Sequence, residues 1–392
     1  MLITLLVLDN QYQISYDPDH HRLRCNGHII NLTAQSFLFQ TENEALSNEN
    51  NTSTFAPPTA TEMEQWRQKG PLGKLHNIVV YIQRSPQRIA QFQELSGGRN
   101  LSRDNSTRWN SWYKMINTAI QLKNAVGLFC MQHQNDQLDL LSSDEWQDLE
   151  KLQSFLLFFY DATLSTESRG ATVDRVLPTM DFLLEQFEEG KNQYKDDIFM
   201  GPCCNSGWAK LEKYYSLTER SPVYIAALVL CPQNKWDYID SNWPAEWVLT
   251  AKIQMQEFWQ TEYKSTAITI PVPEAMAPPQ NTFRQWQKKR ERSVLDIDEY
   301  VKYLQAPVLP TVSDARAWWL EPTQQKTYPA LSIMALDMLS IPAMSAEPER
   351  LFSSAKITIT DRRNKLGIKS IQAIECCKSW LCDSSIPYID EN

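Results

Sequence analysis

Between residues 61 and 265 helix starts recur and convincing strand-like alternation is scarce, which commits most of the chain to helices. Ser85-Pro86 reads as a helix opening, with serine as N-cap and proline at the first helical position, where its missing N–H costs nothing. Ser142 and Glu145 have the spacing of a capping box ahead of an apolar-periodic run that ends near Tyr160. Ser221-Pro222 opens YIAALVL in the same way, and Asn242-Trp243-Pro244 opens a helix carrying Trp247, Ile253, Phe258 and Trp259. A helical body of this length needs a large apolar interior. The chain's 13 Trp, 15 Tyr and 14 Phe are enough to build one.

The flanks read differently. MLITLLVLDN is apolar from Leu2 to Leu8 and closes on Asp9; it has no basic start or cleavage site, and it is too short to span a membrane. It reads as a buried strand, followed by a turn and a second apolar unit, RLRCNGHIINLTAQSFLF. Residues 41–60 are polar and aperiodic, as in a flexible loop. Residues 266–280 hold four prolines and read as a linker. The basic stretch RQWQKKRER then spans Arg284 to Arg292, as a nuclear import signal, a phosphate contact or a solvated helix face.

The last quarter is the most legible. DIDEYVKYLQ is a short helix stopped by Pro307. A second helix runs from about Pro329 to Leu339 and is broken by Pro342. Ser345 caps a third, with Glu347 and Glu349 in its first turn, where carboxylates meet the positive end of the helix dipole. A fourth begins after Gly367, with Ile371, Ile374, Cys377 and Leu381 spaced as one buried face.

Charge and cysteine usage narrow the function. With 38 Lys plus Arg against 47 Asp plus Glu, the net charge is −9. Such a chain is not steered to DNA by its overall field, so any DNA contact needs a local basic patch. Eight cysteines without a CxxC pair give neither a zinc finger nor a disulfide framework, and a reducing compartment fits. Cys203-Cys204 and Cys376-Cys377 read as small buried or half-buried residues.

Four segments together resemble one family: LVLDN followed by RLRCNGHIINL, NSTRWNSWY at 105–113, the run from 317 to 367 that contains SAEPERLFSSAKITITDRRNKLG, and the closing IQAIECCKSWL. In this order they resemble the hAT (hobo–Activator–Tam) DNA transposases. The resemblance implies an RNase H-like core with three acidic residues and a large helical domain inserted between the second and third. The expected fold is therefore mostly α: an incomplete RNase H-like α/β core interrupted by an all-helical insertion and closed by a helical dimerisation segment. The expected divisions are a partial core at 1–40, the loop at 41–60, the helical domain at 61–265, the linker at 266–295, the dimerisation region at 296–383 and a tail at 384–392.

Each site residue carries a bland reading beside the one the resemblance implies. Asp9 matches the second catalytic carboxylate, and Glu349 the third. Two Mg²⁺ or Mn²⁺ ions held there would clamp the attacking and leaving oxygens of a phosphodiester. On the residues alone, Asp9 is an Asx-turn and Glu349 a helix-dipole carboxylate. Cys25 and His28 match the family's C-x-x-H, which organises the active site and the DNA end; on their own they read as a buried thiol and a hydrogen-bonded histidine bracing the core. Trp109 matches a position that stacks on a flipped base, with core packing as the alternative. Arg108 beside it meets a phosphate or is solvated. Trp318 and Trp319 read as dimerisation anchors or core side chains, with Leu351, Phe352, Ile371, Ile374 and Leu381 on the same self-association surface.

Set against the family pattern, the chain is expected to be truncated. The strand carrying the first catalytic Asp and the N-terminal zinc finger are not found, and only fifteen residues separate Asp9 from Cys25. A strand without neighbours exposes its backbone, so residues 1–40 are expected to be poorly packed. The function expected is a nuclear, transposase-derived protein that forms homodimers, with a related full-length transposase as a further partner. Weak DNA binding, no membrane association, no complete transposase activity and no cofactor complete the expectation. The alternatives are an active transposase using Mg²⁺ or Mn²⁺, if earlier strands exist, and an all-α interaction scaffold.

Overall fold

The computed structural model describes residues 22–39, 65–104, 108–133, 140–168, 170–264, 298–345 and 367–382. Among these residues the secondary structure is helical, and the only β pairing is a single bridge between Thr172 and Pro342. The strand expected at Leu2–Leu8, with Asp9, lies outside the described residues, as do the loop at 41–60, the linker, Glu349, Leu351 and Phe352.

The first helix, α1 (Asn26–Phe39), forms the centre of the molecule. For residues 26–39 it overturns the expectation of poor packing; residues 1–21 lie outside the described residues. Ile29, Ile30, Ala34 and Phe37 are all buried. Polar Asn26, Thr33, Gln35 and Ser36 are buried along with the apolar residues, so the helix has neighbours on several sides rather than on one stripe. Those neighbours are α6 (Ser143–Glu167) and α8 (Met200–Thr218), with α7 (Val176–Gln193) closing the group. Phe37 stacks on Phe155 at 4.6 Å, with Phe159 and Phe187 edge-on or tilted around it. Burying each such ring contributes about 1.5–3 kcal/mol. Gly207 of α8 is what lets α1 come so close: a Cβ there would lie 2.4 Å from the Phe187 ring and 3.1 Å from the Phe37 Cβ.

A second group surrounds this core: α2 (Pro71–Gln83), α3 (Pro86–Ser96), α4 (Trp109–Gln121) and α5 (Lys123–Gln132). The Ser85-Pro86 start is where the sequence places it, although Ser85 Oγ donates to Gln87 Oε1 instead of capping. Gly97 ends α3 in the left-handed conformation at φ +66°, which favours glycine. The capping box at Ser142 and Glu145 is complete.

Next in the chain come α9 (Pro222–Val229), α10 (Asp237–Asn242) and α11 (Ala245–Phe258), which continues into a π-turn at Trp259–Tyr263. The carboxy-terminal elements are α12 (Glu299–Gln305), α13 (Ala315–Leu320), α14 (Pro322–Thr327), α15 (Pro329–Leu339) and α16 (Ile368–Cys382). Asp298 joins the two sets. It caps α12 through the Tyr300 and Val301 amides, accepts from Trp259 Nε1 and pairs with Lys264 at 2.9 Å.

The segment at 341–345 is tied to the start of α1. Residues 341–345 run extended between two distant segments: Val173 N–H donates to Ile341 O, Ala343 N–H to Ala171 O, and Asn26 N–H to Ala343 O. No described helix is long and apolar enough to cross a membrane.

Two readings of small residues need correction. Cys203 and Cys204 are buried, whereas Cys376 and Cys377 on α16 are exposed. The α16 stripe is likewise only half covered at Ile371 and Ile374, and among the described side chains of this helix the buried one is Glu375. Leu381 lies in α16, with its side chain outside the described set.

Candidate nucleic-acid interface

The start of α1, the start of α4 and the extended segment at 344–345 meet at a cleft of about 760 Å³. Cys25, His28, Arg108 and Trp109 all line it, so two motifs some eighty residues apart in sequence share one site. An asparagine aligns them: Asn31 Oδ1, one turn into α1, accepts from Trp109 N–H at 2.9 Å. It thereby supplies the N-terminal cap that Arg108 does not provide.

Cys25 is half-buried, and its sulfur accepts from both the N–H and the hydroxyl of Ser345 at 3.2 Å. The thiol braces the cleft wall, while His28 is exposed on the cleft surface and does not brace the core as expected. Trp109 is 4% exposed, with its ring 5.8 Å from Phe159 and 6.3 Å from Tyr113. It forms the floor by packing into the core. As placed, it does not offer an open face for a base to stack on.

The charge around the opening is mainly positive. Arg22, Arg24, Arg108 and Lys213 line it, with Glu167 as the carboxylate. This is the local basic patch that an acidic chain needs before it can meet a polyanion. Lys213 comes from α8, brought in by the packing of α8 on α1, and no sequence motif marks it. Two polar atoms in the lining are buried and lack hydrogen-bond partners: Arg24 Nε, a donor, and Asn110 Oδ1, an acceptor. Leaving such a group unpaired costs about 1–3 kcal/mol, and both atoms are covered by protein rather than open to the cleft.

Neither tryptophan of the expected dimerisation pair is free. Trp319 is fully buried, and its Nε1 donates to Leu230 O at 2.7 Å. Trp318, half-buried, lies edge-on to it at 4.8 Å. Tyr303 and Tyr328 complete the aromatic group around Trp319. Trp319 is therefore an intramolecular anchor, holding α12–α15 to the end of α9. The cause is its indole N–H, which finds a carbonyl just past a helix C-terminus that would otherwise stay unpaired. Nearby, the buried Lys235 ammonium donates to Tyr303 O and Ala306 O across the same junction.

Among the described residues no three His, Cys, Asp or Glu side chains gather as a metal ion would require. Asp9 and Glu349 lie outside them, and the described residues do not by themselves make up a metal centre.

The described residues form a helical body joined to a carboxy-terminal helical region. Two regional matches and a set of relatives support an hAT-family, transposase-like protein. Residues 299–381 match the hAT family C-terminal dimerisation region, and residues 23–155 match the ZBED1 RNase-like helical domain. Among curated proteins it is 24% identical over 96% of its length to "Putative transcriptional regulator tpeD" of Talaromyces stipitatus, covering 43% of that protein. It is 25% identical over 73% of its length to the zinc finger BED domain-containing protein DAYSLEEPER of Arabidopsis thaliana, covering 41% of it. To "Putative AC transposase" of Zea mays it is 23% identical over 80% of its length, covering 42% of that protein. The chain thus spans less than half the length of these relatives.

Proposed function

We propose that this transposase-derived protein self-associates through its hAT C-terminal region, without complete transposase activity. The observation that carries this is the division of apolar side chains within residues 299–381. The largest aromatic groups, Tyr303, Trp319 and Tyr328, are used up inside the chain's own core, while Val301, Leu320, Ile333 and Ile368 remain exposed, Ile368 at 76%. With the half-covered Ile371 and Ile374, these are apolar side chains that a second copy would cover; Leu351, Phe352 and Leu381 join them on the sequence reading alone.

Size-exclusion chromatography with light scattering at several concentrations tests it. The expected mass is twice the 45.4 kDa of one chain. A double polar substitution of Leu351 and Phe352, or Ile368→Asp, returns it to monomer. A wild-type monomer at every concentration refutes the proposal.

A second activity is favoured by the cleft: weak, backbone-directed binding of nucleic acid. The four cationic side chains that line one opening, Arg22, Arg24, Arg108 and Lys213, support it. Fluorescence anisotropy with duplex DNA across a salt series is the test. Arg108→Ala and Lys213→Ala should each lower the salt slope by about one. Slopes and affinities equal to wild type would remove the cleft from the contact. With residues 284–292 as an import signal, the working place of such a protein is the nucleus.

A further inference from the structure

A second cavity system lies between α7, α8, α10 and α11, in the stretch 177–254 that falls between the two matched regions. Two adjoining hollows, of about 180 and 410 Å³, share three lining rings: Tyr215, Trp243 and Trp247. The Tyr215 ring lies 6.4 Å from Trp243 and 6.3 Å from Trp247. The carboxylates on the lining are Asp181 and Glu185 on one side and Glu219 on the other; no Lys, Arg or His lines either hollow.

Asp181 is the unusual member. Its Oδ1 accepts from the Tyr215 hydroxyl at 2.6 Å, and its Oδ2 from the Tyr238 hydroxyl at 2.9 Å and Trp243 Nε1 at 3.1 Å. All three donors are neutral, and among the described residues no Lys or Arg pairs with this carboxylate. Burial pushes its pKa up, and the three donors oppose that rise. A largely buried anion without a counter-ion is costly. Tyr215, Tyr238 and Trp243 turn their donor edges to Asp181, and the negative face of each ring lies perpendicular to that edge.

We propose that this aromatic pocket binds a methylated ammonium group, with Tyr215, Trp243 and Trp247 enclosing the cation and Asp181 supplying the countercharge. The lone pairs of Asp181 are largely committed to its own three donors. The carboxylate therefore offers charge but few acceptor sites, and a cation with no N–H to satisfy fits better than a bare ammonium or a guanidinium. Such a group occurs free, as in choline, or on a trimethylated lysine side chain.

Isothermal titration of the full chain with choline, with a trimethyl-lysine peptide and with 3,3-dimethyl-1-butanol, the neutral isostere of choline, tests this. At least one cation binds, and the neutral isostere binds at least about tenfold more weakly, a margin within the range of cation–π and ionic attraction. A peptide that binds tenfold or more tightly than choline assigns the cation to a protein side chain; comparable affinities assign it to a free ammonium. Trp247 is 45% exposed, so Trp247→Ala leaves the core intact and lowers affinity about tenfold. Glu185→Gln provides a milder, fold-neutral loss of charge. The proposal is overturned if neither cation binds, if the neutral isostere binds as tightly as the cations, or if Trp247→Ala binds like the wild type.

Discussion

Trp319→Phe separates the two readings of the aromatic pair by measurement. The indole Nε1 is the partner of Leu230 O at 2.7 Å, in a site with no solvent exposure. Phenylalanine keeps an aromatic face toward Tyr303 and Tyr328 but leaves that carbonyl unpaired, at a cost of about 1–3 kcal/mol. The void left by the smaller ring adds about 1 kcal/mol. Together the loss is roughly 2–4 kcal/mol, a large share of a typical unfolding free energy of about 5–15 kcal/mol. Urea unfolding followed by circular dichroism reads it as a lowered midpoint at unchanged slope. Light scattering on the same variant should show the oligomeric state of the wild type, because the side chain reaches no surface. An unfolding free energy within about 0.5 kcal/mol of wild type, together with loss of self-association, would refute the intramolecular anchor and restore Trp319 to an interface.

Three further perturbations test other parts of the fold. Ser142→Ala removes the capping box of α6 and should cost about 0.5–2 kcal/mol at neutral pH by urea unfolding. Burial alone would raise the Glu145 pKa, but the Lys74 ammonium at 2.6 Å and the Ser142 groups outweigh it and hold it below its ordinary 4.5. A carboxylate with a depressed folded-state pKa stabilises above the unfolded value and loses that contribution as the pH falls through the folded one. The difference between Glu145→Gln and wild type should therefore shrink in that acid window; a constant difference from neutral pH to well below 4.5 would contradict the assignment. Gly207→Ala forces a Cβ to within 2.4 Å of Phe187 and should destabilise by about 1–3 kcal/mol despite alanine's better helix propensity, while a gain in thermal stability would show that α1 and α8 can part.

What the sequence disclosed depended on whether the signal was local. The capping box at Ser142, the Ser-Pro starts and the Pro329–Leu339 helix are set by neighbouring residues, and they stand where the local chemistry puts them. Asn26–Phe39 reads only as an apolar unit of a partial core, because it shows no single apolar stripe; its polar Asn26, Thr33, Gln35 and Ser36 are buried with the rest. The cleft was half legible: Cys25, His28, Arg108 and Trp109 are marked by motifs, Asn31 and Asn110 lie inside those motifs without a role that the spacing assigns, and Lys213 enters only through helix packing. The roles of Trp109 and Trp319 could not be read from composition, since thirteen tryptophans give no sign of which ones face inward.

The clasp between Cys25 and Ser345 joins residues 320 positions apart. A ribosome adding about 5–20 residues per second needs roughly 15–60 s to travel from one to the other. During that interval helix α1 has been made and α8 arrives partway through, but the last wall of the cleft does not yet exist. The opening lined by Arg24 and Arg108 is thus assembled late in synthesis, and a nascent chain that stalls before residue 341 carries the apolar body without a finished place for a polyanion to sit.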